Sequence, residues 1–412
     1  MATPSACASR PVDDVSTVPR QHAGTGVDAA QAGFRLPVRD DLVQESPYGA
    51  PQLDVPVRLN VNENPYPVPP AVVTAMADAV RAVGGTLNRY PDREAWGLRS
   101  RLAAYLKTES NVAVDVPQIW AANGSNEVMQ QIHLAFGGPG RTSLAFVPTY
   151  SMYAQYCRDT FTRYATAPRQ HDFTIDPGIA AQALREWQPS LVLIASPNNP
   201  TGTAMDLGVL EEILAAAHHA GALVVVDEAY AEFRRPQTPS ALELLGAWPN
   251  LIVSRTMSKA FGLAGARVGY AVAAQPAAIE ALRIVRLPYH LSEVTQAIAS
   301  VALDHASVMQ EQVATIRAQR DELVDWLAAV SLGPLPSDAN FVCFGPLADA
   351  DSTWQGLLDR GVLIRASGPP GYLRVSVGTP EENGRFRDAL AAVLSLGTSV
   401  GLGSGVGLGR GV

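Results

Sequence analysis

Lysine is scarce in this chain, and the sequence around one of its two lysines is typical of a lysine that acts as a nucleophile. The sequence has 412 residues, 31 of them basic, and only Lys107 and Lys259 are lysines. Lys259 lies in RTMSKAFGLAGARVGY (255–270), between a serine and a glycine-rich turn and eight residues before Arg267. A lysine that loses its proton near other cations or in an apolar pocket can form a Schiff base with an aldehyde. Lys259 is therefore the first candidate catalytic residue.

Three short, apolar, β-rich runs end in polar residues: LVLIASP at 191–197, ALVVVDE at 222–228 and LIVSRT at 251–256. A helical pattern at 205–221 lies between the first two, and this β-α-β order implies a parallel sheet. Ligands of such sheets bind beyond the carboxyl ends of the strands. The polar residues that the runs place there are Asn199, Asp227, Tyr230, Thr256 and Ser258.

Together these side chains match the needs of one cofactor. An aspartate can hold a pyridine nitrogen protonated so that the ring draws electrons, while a phenol and an amide can bind the ring's 3-oxygen. An arginine, hydroxyls and helix-start N–H groups can bind a phosphate. Each residue alone has a plainer explanation, such as a surface lysine, an Asx turn or a solvated acid. Five matching groups, an asparagine, an aspartate, a tyrosine, a lysine and an arginine, follow in order on three strand ends and favour pyridoxal 5′-phosphate.

The motifs SPNNPTG, VDEAY and SKAFGLAGARVGY resemble the signatures of fold-type I, class I/II aminotransferases over residues 40–390. The stretches NVNENPYP, NRYPD, AANGSNEVMQQIHLAFGGPGR, FVPTYSMY, RLPYHLS and PSDANFV are similar to histidinol-phosphate aminotransferases of the actinobacterial type. This resemblance implies an α/β fold-type I transferase. Its large domain would hold a mixed, mostly parallel sheet between helices, and a smaller α+β domain would follow.

The resemblance also implies roles for individual residues. Lys259 would form the Schiff base and move the proton, Asp227 would pair with the ring nitrogen, and Tyr230 and Asn199 would contact the ring oxygen. Tyr150 would stack on the ring. The cofactor phosphate would be held by Ser125, Asn126, Thr256, Ser258, Arg267 and, from the partner subunit, Tyr90. The substrate would be held by Tyr66, Arg365 and Arg374.

The reaction that this resemblance implies is a ping-pong transamination in a homodimer with active sites at the subunit interface. Histidinol phosphate and 2-oxoglutarate would give imidazole acetol phosphate and glutamate. Three alternatives stay open: a paralogue acting on an aromatic or specialised amino acid, because IRASGPPG beside Arg365 departs from the pattern; a pyridoxal-phosphate decarboxylase; and a ligand sensor joined to a DNA-binding module. No basic helix-turn-helix pattern supports the third.

Composition excludes several other functions. The net charge is −8, and the sequence contains no basic stripe that could neutralise the phosphates of a nucleic acid. The negative charge also fits poorly with binding to an anionic membrane surface. The start of the chain lacks the apolar segment of a secretory signal, and no apolar run suits a membrane helix. Three scattered cysteines predict neither a disulfide scaffold nor a zinc site. We expect a cytoplasmic enzyme without a metal, and we expect Cys157 and Cys343 to be inert core thiols.

Five segments follow along the chain. They are a disordered N-terminal arm (1–40), a segment contributing to the small domain and dimer contacts (41–70), a large cofactor-binding domain (71–291), a small C-terminal domain (292–395) and a flexible glycine-rich tail (396–412). Within the small domain, residues 292–330 predict a long, bent helix, and the strand-like runs ANFVCFG and YLRVSVG flank another helix. We interpret His290 as a packing or substrate-lining residue.

Overall fold

The structure of the protein is a computed structural model, which describes residues 30–31, 34–43 and 45–395. The chain divides into two compact units, Met1–Asp54 and Val55–Val412. In the described part of the first unit, strands β1 (Ala30–Gln31) and β2 (Phe34–Arg35) pair antiparallel. This ladder falls inside the predicted N-terminal arm; the rest of that arm before residue 30, and the predicted tail 396–412, lie outside the described residues.

The second unit contains the helices and strands that build the site. Its helices are α1 Pro70–Gly84, α2 Trp96–Glu109, α3 Ser125–Phe136, α4 Met152–Asp159, α5 Pro177–Trp187, α6 Leu207–His219, α7 Pro276–Val285, α8 Glu293–Asp304, α9 Ala306–Ala329, α10 Ala350–Asp359 and α11 Pro380–Val393. Its strands are β3 Val57–Arg58, β4 Ile119–Ala122, β5 Thr142–Val147, β6 Arg163–Pro168, β7 Leu191–Ala195, β8 Leu223–Asp227, β9 Leu251–Thr256, β10 Gly269–Ala273, β11 Phe341–Phe344, β12 Val362–Leu363 and β13 Leu373–Ser376.

A seven-stranded sheet in the order β4-β10-β9-β8-β7-β5-β6 forms the centre of the unit. The pairs from β9 through β6 are parallel, while β10 pairs antiparallel with both β9 and β4. In register, Ala195 lies beside Asp227, and Asp227 lies beside Ser254. The predicted mixed, mostly parallel sheet is therefore confirmed, and the carboxyl ends of its three predicted strands are neighbours.

The central strands are apolar throughout because both faces of the sheet are covered. Val192 and Val224 belong to one core cluster, whereas Leu193 and Val225 belong to the cluster on the opposite side. Since side chains alternate between the two faces of a strand, each strand needs apolar residues at every position. That need explains the continuous Val, Leu and Ile runs by which these strands could be predicted.

The helices also follow their sequence signals. Asp206 accepts a hydrogen bond from the Val209 N–H and begins α6, as expected from its position at the start of the helical pattern. The long helix predicted over 292–330 is present as α8 and α9, which break at His305. Among the described helices, none is both long and apolar enough to cross a membrane.

Smaller sheets assemble from residues at both ends of the unit. The strands β11 and β13 pair antiparallel, and α10 lies between them in sequence, as the two strand-like runs predicted. The strand β12 pairs in parallel with β3, more than 300 residues earlier. Segment 55–64 is thereby bound to the C-terminal part of the chain and runs past the carboxyl end of the main sheet.

Candidate active site

Asp227 ends β8 and is buried at the carboxyl edge of the sheet. The Tyr153 hydroxyl donates a 3.1 Å hydrogen bond to Asp227 Oδ2, while Oδ1 is buried and has no hydrogen-bond partner among the described residues. Burial raises the pKa of Asp227 to about 6, although hydrogen bonds from Tyr153 and the Ala229 N–H oppose this change. A buried carboxylate oxygen without a hydrogen-bond partner is energetically costly, and a positively charged hydrogen-bond donor beside it would offset that cost.

A network of side-chain hydrogen bonds links the carboxyl ends of the sheet strands to β13. The Asn199 side-chain amide donates to Tyr230 Oη at 3.4 Å, and the Asn62 amide donates to the same oxygen at 3.0 Å. Arg374, on β13, donates from Nη1 to Asn199 Oδ1 and from Nη2 to the Asn60 carbonyl at 2.8 Å. An arginine of the small sheet is thus held directly against the loop that follows β7.

Lys259 follows β9 and contacts the segment that carries Asn62. Its Nζ donates a 2.9 Å hydrogen bond to the carbonyl of Val61, next to Asn62. Burial, followed by the positive charges of Arg374 and Arg267, lowers the pKa of Lys259 to about 8, while Glu63 acts in the opposite direction. The ammonium is therefore much easier to deprotonate than that of an ordinary surface lysine.

A cluster of hydroxyl and N–H groups surrounds the start of α3. Ser125 is the first residue of that helix, so its N–H lies among those that lack intrahelical partners. Gly124 has φ +83°, and a Cβ added there would stand 2.6 Å from Nη2 of Arg267. Arg267 Nη1 donates to Ser258 Oγ at 3.3 Å, and Thr256 Oγ1 donates to the same Ser258 oxygen at 2.9 Å. This arrangement suits an anion.

Tyr150 contacts both α3 and Tyr153, the residue that donates to Asp227. Its hydroxyl donates to Asn126 Oδ1 on α3 at 3.4 Å, and its ring packs edge-to-face on Tyr153 at 5.7 Å. Because Tyr153 contacts Asp227, these contacts connect the buried carboxylate with the start of α3. Tyr156 also donates to Asn126 Oδ1, at 3.0 Å.

The remaining three candidates differ in their contacts and in their exposure. Arg365 is half-buried, and its backbone pairs with that of Arg374 through N–H···O bonds of 2.9 and 3.0 Å. Tyr66 accepts a 2.7 Å hydrogen bond from Gln319 Nε2 and packs against the larger core cluster. Tyr90 is 79% exposed and stacks on Tyr289 with ring centroids 4.3 Å apart.

A family model described as aminotransferase class I and II matches residues 55–390. The chain belongs to this aminotransferase family. It is 58% identical over 361 residues to histidinol-phosphate aminotransferase 3 of Burkholderia lata, covering 88% of this chain and 96% of that protein. It is 55% identical over 369 residues to the histidinol-phosphate aminotransferase of Thermobifida fusca, covering 90% of this chain and 97% of that protein.

Solved structures of histidinol-phosphate aminotransferases share the fold of this aminotransferase. One is a putative enzyme from Erwinia carotovora atroseptica, which is 28% identical with a TM-score of 0.74 and covers 85% of this chain and 99% of its own. Another is the Sinorhizobium meliloti enzyme in complex with pyridoxal-5′-phosphate, which is 27% identical with a TM-score of 0.72, over 83% of this chain and 91% of its own. The predicted fold and family are confirmed.

The residues of this aminotransferase fit pyridoxal 5′-phosphate. Asp227 leaves one buried oxygen for a protonated ring nitrogen, and Lys259 offers an amine with a lowered pKa. The start of α3 with Arg267 offers N–H and guanidinium donors for the phosphate. Three charged or polar groups of the cofactor thus have matching protein groups in one connected set.

Two site residues escape prediction from the sequence. Tyr153 is the phenol that contacts Asp227, and Asn62 is the amide that contacts Tyr230. Tyr153 stands three residues after Tyr150, and its N–H donates to the Tyr150 carbonyl at 3.2 Å in the turn that begins α4. This spacing of the two tyrosines is the signal that could have revealed it. Asn62 gives no comparable local signal, because its partner Tyr230 lies 168 positions away.

Several nearby residues have structural roles. Glu228, beside Asp227, forms a buried ion pair with Arg255 at 2.8 Å and accepts a hydrogen bond from Ser240. His290 stacks on Trp120, and burial lowers its pKa, which agrees with the packing role expected from the sequence. Cys157 and Cys343 are buried free thiols whose pKa values burial raises, as expected for unreactive cysteines.

Proposed function

We propose that this chain is a pyridoxal 5′-phosphate-dependent aminotransferase that converts histidinol phosphate and 2-oxoglutarate into imidazole acetol phosphate and glutamate. The observation that carries the choice of substrate is the high similarity to proteins named histidinol-phosphate aminotransferase, at 58% and 55% identity over nearly their whole length. The connected set of Lys259, Asp227 and the start of α3 supports the cofactor and the reaction class.

In this proposal each group of the cofactor has a residue to hold it. Asp227 holds the ring nitrogen, Tyr230 and Asn199 hold the 3-oxygen, and Tyr150 covers the ring. The phosphate is held by Ser125, Asn126, Thr256, Ser258 and Arg267. When bound, pyridoxal phosphate supplies an aldehyde and an electron-withdrawing ring that stabilises negative charge at the substrate α-carbon.

Lys259 acts as the base in this proposal. Its pKa of about 8 leaves a substantial neutral fraction at slightly alkaline pH, so it could take the proton from the substrate α-carbon and, once protonated, donate it to the carbon of the cofactor's aldehyde group. Asp227, with a pKa of about 6, is mainly ionised at the same pH and keeps a negative charge behind the ring. The two shifted pKa values thus suit opposite roles at one pH.

Arg374 and Arg365 form the substrate end of the site. They are directly opposite each other on adjacent extended segments, and Arg374 is tied to Asn199 of the cofactor-binding loop. The two amino donors differ in the anion that they present to these arginines, since glutamate presents a carboxylate and histidinol phosphate presents a phosphate. A guanidinium donates paired hydrogen bonds to either anion, so the same arginines can serve both halves of the reaction. Tyr66 is proposed to cover the substrate.

We also propose that two chains associate. Large apolar side chains are exposed near Tyr90: Ile284 is 83% exposed and Leu287 is 75% exposed. The stack between Tyr90 and Tyr289 and the ion pair of Glu94 with Arg286 connect the two stretches that carry them. Apolar patches of this kind favour a subunit interface. Tyr90 would then reach the phosphate of the partner subunit, which accounts for its exposure in a single chain.

A panel of amino donors tests the substrate. The holoenzyme is incubated with 2-oxoglutarate and histidinol phosphate, histidinol, phenylalanine or tyrosine, and glutamate formation is measured. We expect the highest kcat/KM with histidinol phosphate. Preference for an aromatic amino acid would contradict the substrate and favour the paralogue. Release of carbon dioxide without glutamate would contradict transamination itself.

A further inference from the structure

Helix α9 contacts the segment that carries Tyr66 at two points. Gln312 and Gln319 are seven residues apart on this helix, which is two turns, so they lie on one face of it. Gln319 Nε2 donates to Tyr66 Oη at 2.7 Å, and Gln312 Nε2 donates to the Pro67 carbonyl at 2.9 Å. Gln319 itself is buried, with 6% of its surface exposed. One face of α9 thus binds both the backbone of this segment and the hydroxyl of its tyrosine.

Asn64 connects these glutamine contacts to the loop that carries Lys259. The Asn64 Nδ2 donates to Gln312 Oε1 and to the Ala260 carbonyl, both at 3.3 Å. Its Oδ1 accepts from the backbone N–H of Tyr66 at 2.9 Å. Because Ala260 directly follows Lys259, these bonds hold Tyr66 beside the loop of the candidate Schiff-base lysine.

The orientation of both amides in this network follows from hydrogen-bond chemistry. A carbonyl oxygen can only accept, so the NH₂ group of Gln312 must face the Pro67 carbonyl. The Gln312 Oε1 then faces Asn64 and accepts from its NH₂ group, which also meets the Ala260 carbonyl. The remaining oxygen of Asn64 accepts the Tyr66 N–H. The opposite orientation of either amide would place two acceptors or two donors against each other.

Packing alone does not fix the Tyr66 side chain. Tyr66 is half-buried and packs against the larger core cluster, but it also lines a cavity of about 270 Å³ together with Pro69, Val308 and Thr315. A side chain beside open space has room to change its rotamer, whereas a close-packed one does not. The hydrogen bond from Gln319 to the hydroxyl therefore determines where the ring stands.

We propose that Gln319 and Gln312 are positioning residues that hold Tyr66 over the bound substrate. This inference rests on the proposed function, in which Tyr66 covers the substrate. Gln319 acts through the phenol hydroxyl, and Gln312 acts through the main chain on either side of Tyr66, by way of Asn64 and Pro67. Because the two glutamines act on different parts of the same residue, their effects can be separated.

The test measures steady-state kinetics of the holoenzyme with histidinol phosphate and 2-oxoglutarate. Gln319→Met keeps an unbranched side chain of similar size and removes the donor. We expect kcat/KM for histidinol phosphate to fall about 3- to 10-fold, mainly through a higher KM, as for the loss of one hydrogen bond that binds the substrate cover. In a Tyr66→Phe background Gln319→Met should add no further loss, because the hydroxyl through which it acts is gone. Gln312→Met should lower kcat/KM in both backgrounds, because it acts on the main chain.

The matched control is Gln310→Met, since Gln310 also lies on α9 and donates from Nε2 to a tyrosine hydroxyl, that of Tyr105, at 3.1 Å. It should keep the wild-type kcat/KM, and every variant should bind pyridoxal phosphate as tightly as the wild type. Unchanged kinetics of Gln319→Met, an equal further loss in the Tyr66→Phe background, or the same loss in Gln310→Met would overturn the positioning role alone. A wild-type enzyme that forms no glutamate from histidinol phosphate would contradict the proposed function, and the role of the two glutamines with it.

Discussion

At the scale of single residues, Asp227 combines an energetic cost with a function. Its pKa rises from 3.8 to about 6 because the carboxyl group is buried. Between these two values the folded protein binds more protons than the unfolded chain, so stability falls as pH rises through that window. The cost is absent below pH 3.8 and complete above about pH 6. A cationic ring nitrogen beside Oδ1 would offset this cost in the loaded protein.

The first prediction is that Asp227→Asn stabilises the cofactor-free protein while weakening cofactor binding. At pH 7.5 the free energy of unfolding should rise, by about 3 kcal/mol at most, because a buried charge is removed. The affinity for pyridoxal phosphate should fall by about 10- to 100-fold, as expected for the loss of a charged hydrogen bond. Denaturant unfolding at pH 7.5 and pH 4 and a binding titration measure both effects. A variant that is less stable at pH 7.5 would contradict the electrostatic account.

The second prediction concerns the pH dependence of cofactor uptake. Only the neutral Lys259 amine attacks an aldehyde, so the rate of reaction with pyridoxal phosphate should fall about tenfold per pH unit below the pKa of about 8 and level off above it. Arg374→Gln removes a positive charge that lowers this pKa, so the break should move to higher pH. Stopped-flow absorbance follows the reaction, with Lys107→Arg as the control. A break near the ordinary lysine value in the wild type would count against a perturbed Lys259.

The residues that could be predicted from the sequence differ physically from those that could not. Lys259, Asp227 and Asn199 follow directly after strands of one parallel sheet, so local pattern and topology together place them at one edge. Tyr153 and Asn62 act through contacts with partners 74 and 168 positions away. Such contacts depend on how separate elements pack, which the spacing of residues along the chain does not determine.

At the scale of elements, the junction of β10 with α3 shapes the phosphate-binding region. A Cβ on Gly269, the first residue of β10, would stand 2.2 Å from the Ser125 N atom, and one on Gly124 would meet Arg267. Both glycines therefore allow backbone and guanidinium to come close to the free N–H groups of α3. The resemblance implied Ser125 and Asn126 as phosphate-binding residues, but the close approach of β10 to them is visible only in the structure.

The third prediction is that Gly124→Ala lowers both the affinity for pyridoxal phosphate and the free energy of unfolding. At φ +83° an alanine costs about 1–2 kcal/mol, and its Cβ would displace the Arg267 guanidinium. Gly84→Ala is the matched control, because a Cβ there meets nothing within 4 Å and φ is not positive. The control should be neutral or slightly stabilising. Equal cofactor affinities of the two variants, measured by titration, would argue against a phosphate site at the start of α3.

Helices and strands with one strong local sequence signal were predicted best. Buried strands and capped helices such as α6 follow from local sequence, and the break between α8 and α9 lies inside the helix predicted as bent. The pairing of β3 with β12 could not be read from pattern, because each strand has only two residues and their pairing spans most of the chain. Short strands carry too little periodicity to reveal their partners.

At the scale of the whole molecule, the proposed dimer makes a site depend on two chains. Tyr90 is 79% exposed within its own chain and stacks on Tyr289. If it completes the site of the partner subunit, a defect in Tyr90 and a defect in Lys259 affect different sites of a mixed dimer. In such a dimer one site would then be intact and the other would lack both residues.

The fourth prediction is that Lys259→Ala and Tyr90→Ala chains restore activity to each other. Equal amounts are mixed under conditions that exchange subunits, so about half of the dimers are hybrids, and each hybrid has one intact site. The mixture should recover about a quarter of the wild-type activity, while each variant alone stays strongly impaired. Activity that merely equals the average of the two separate variants would contradict a contribution of Tyr90 across the interface.

The most direct test uses the scarcity of lysine. The purified protein is loaded with pyridoxal phosphate, reduced with borohydride and digested, and the peptides are analysed by mass spectrometry. Since Lys107 and Lys259 are the only lysines in the chain, two peptides decide the result. We predict the reduced cofactor on Lys259, with Lys107 unmodified and no label on this peptide in Lys259→Ala. A loaded protein whose label lies on Lys107, or one that retains no label at all, would contradict the central claim that Lys259 binds the cofactor covalently.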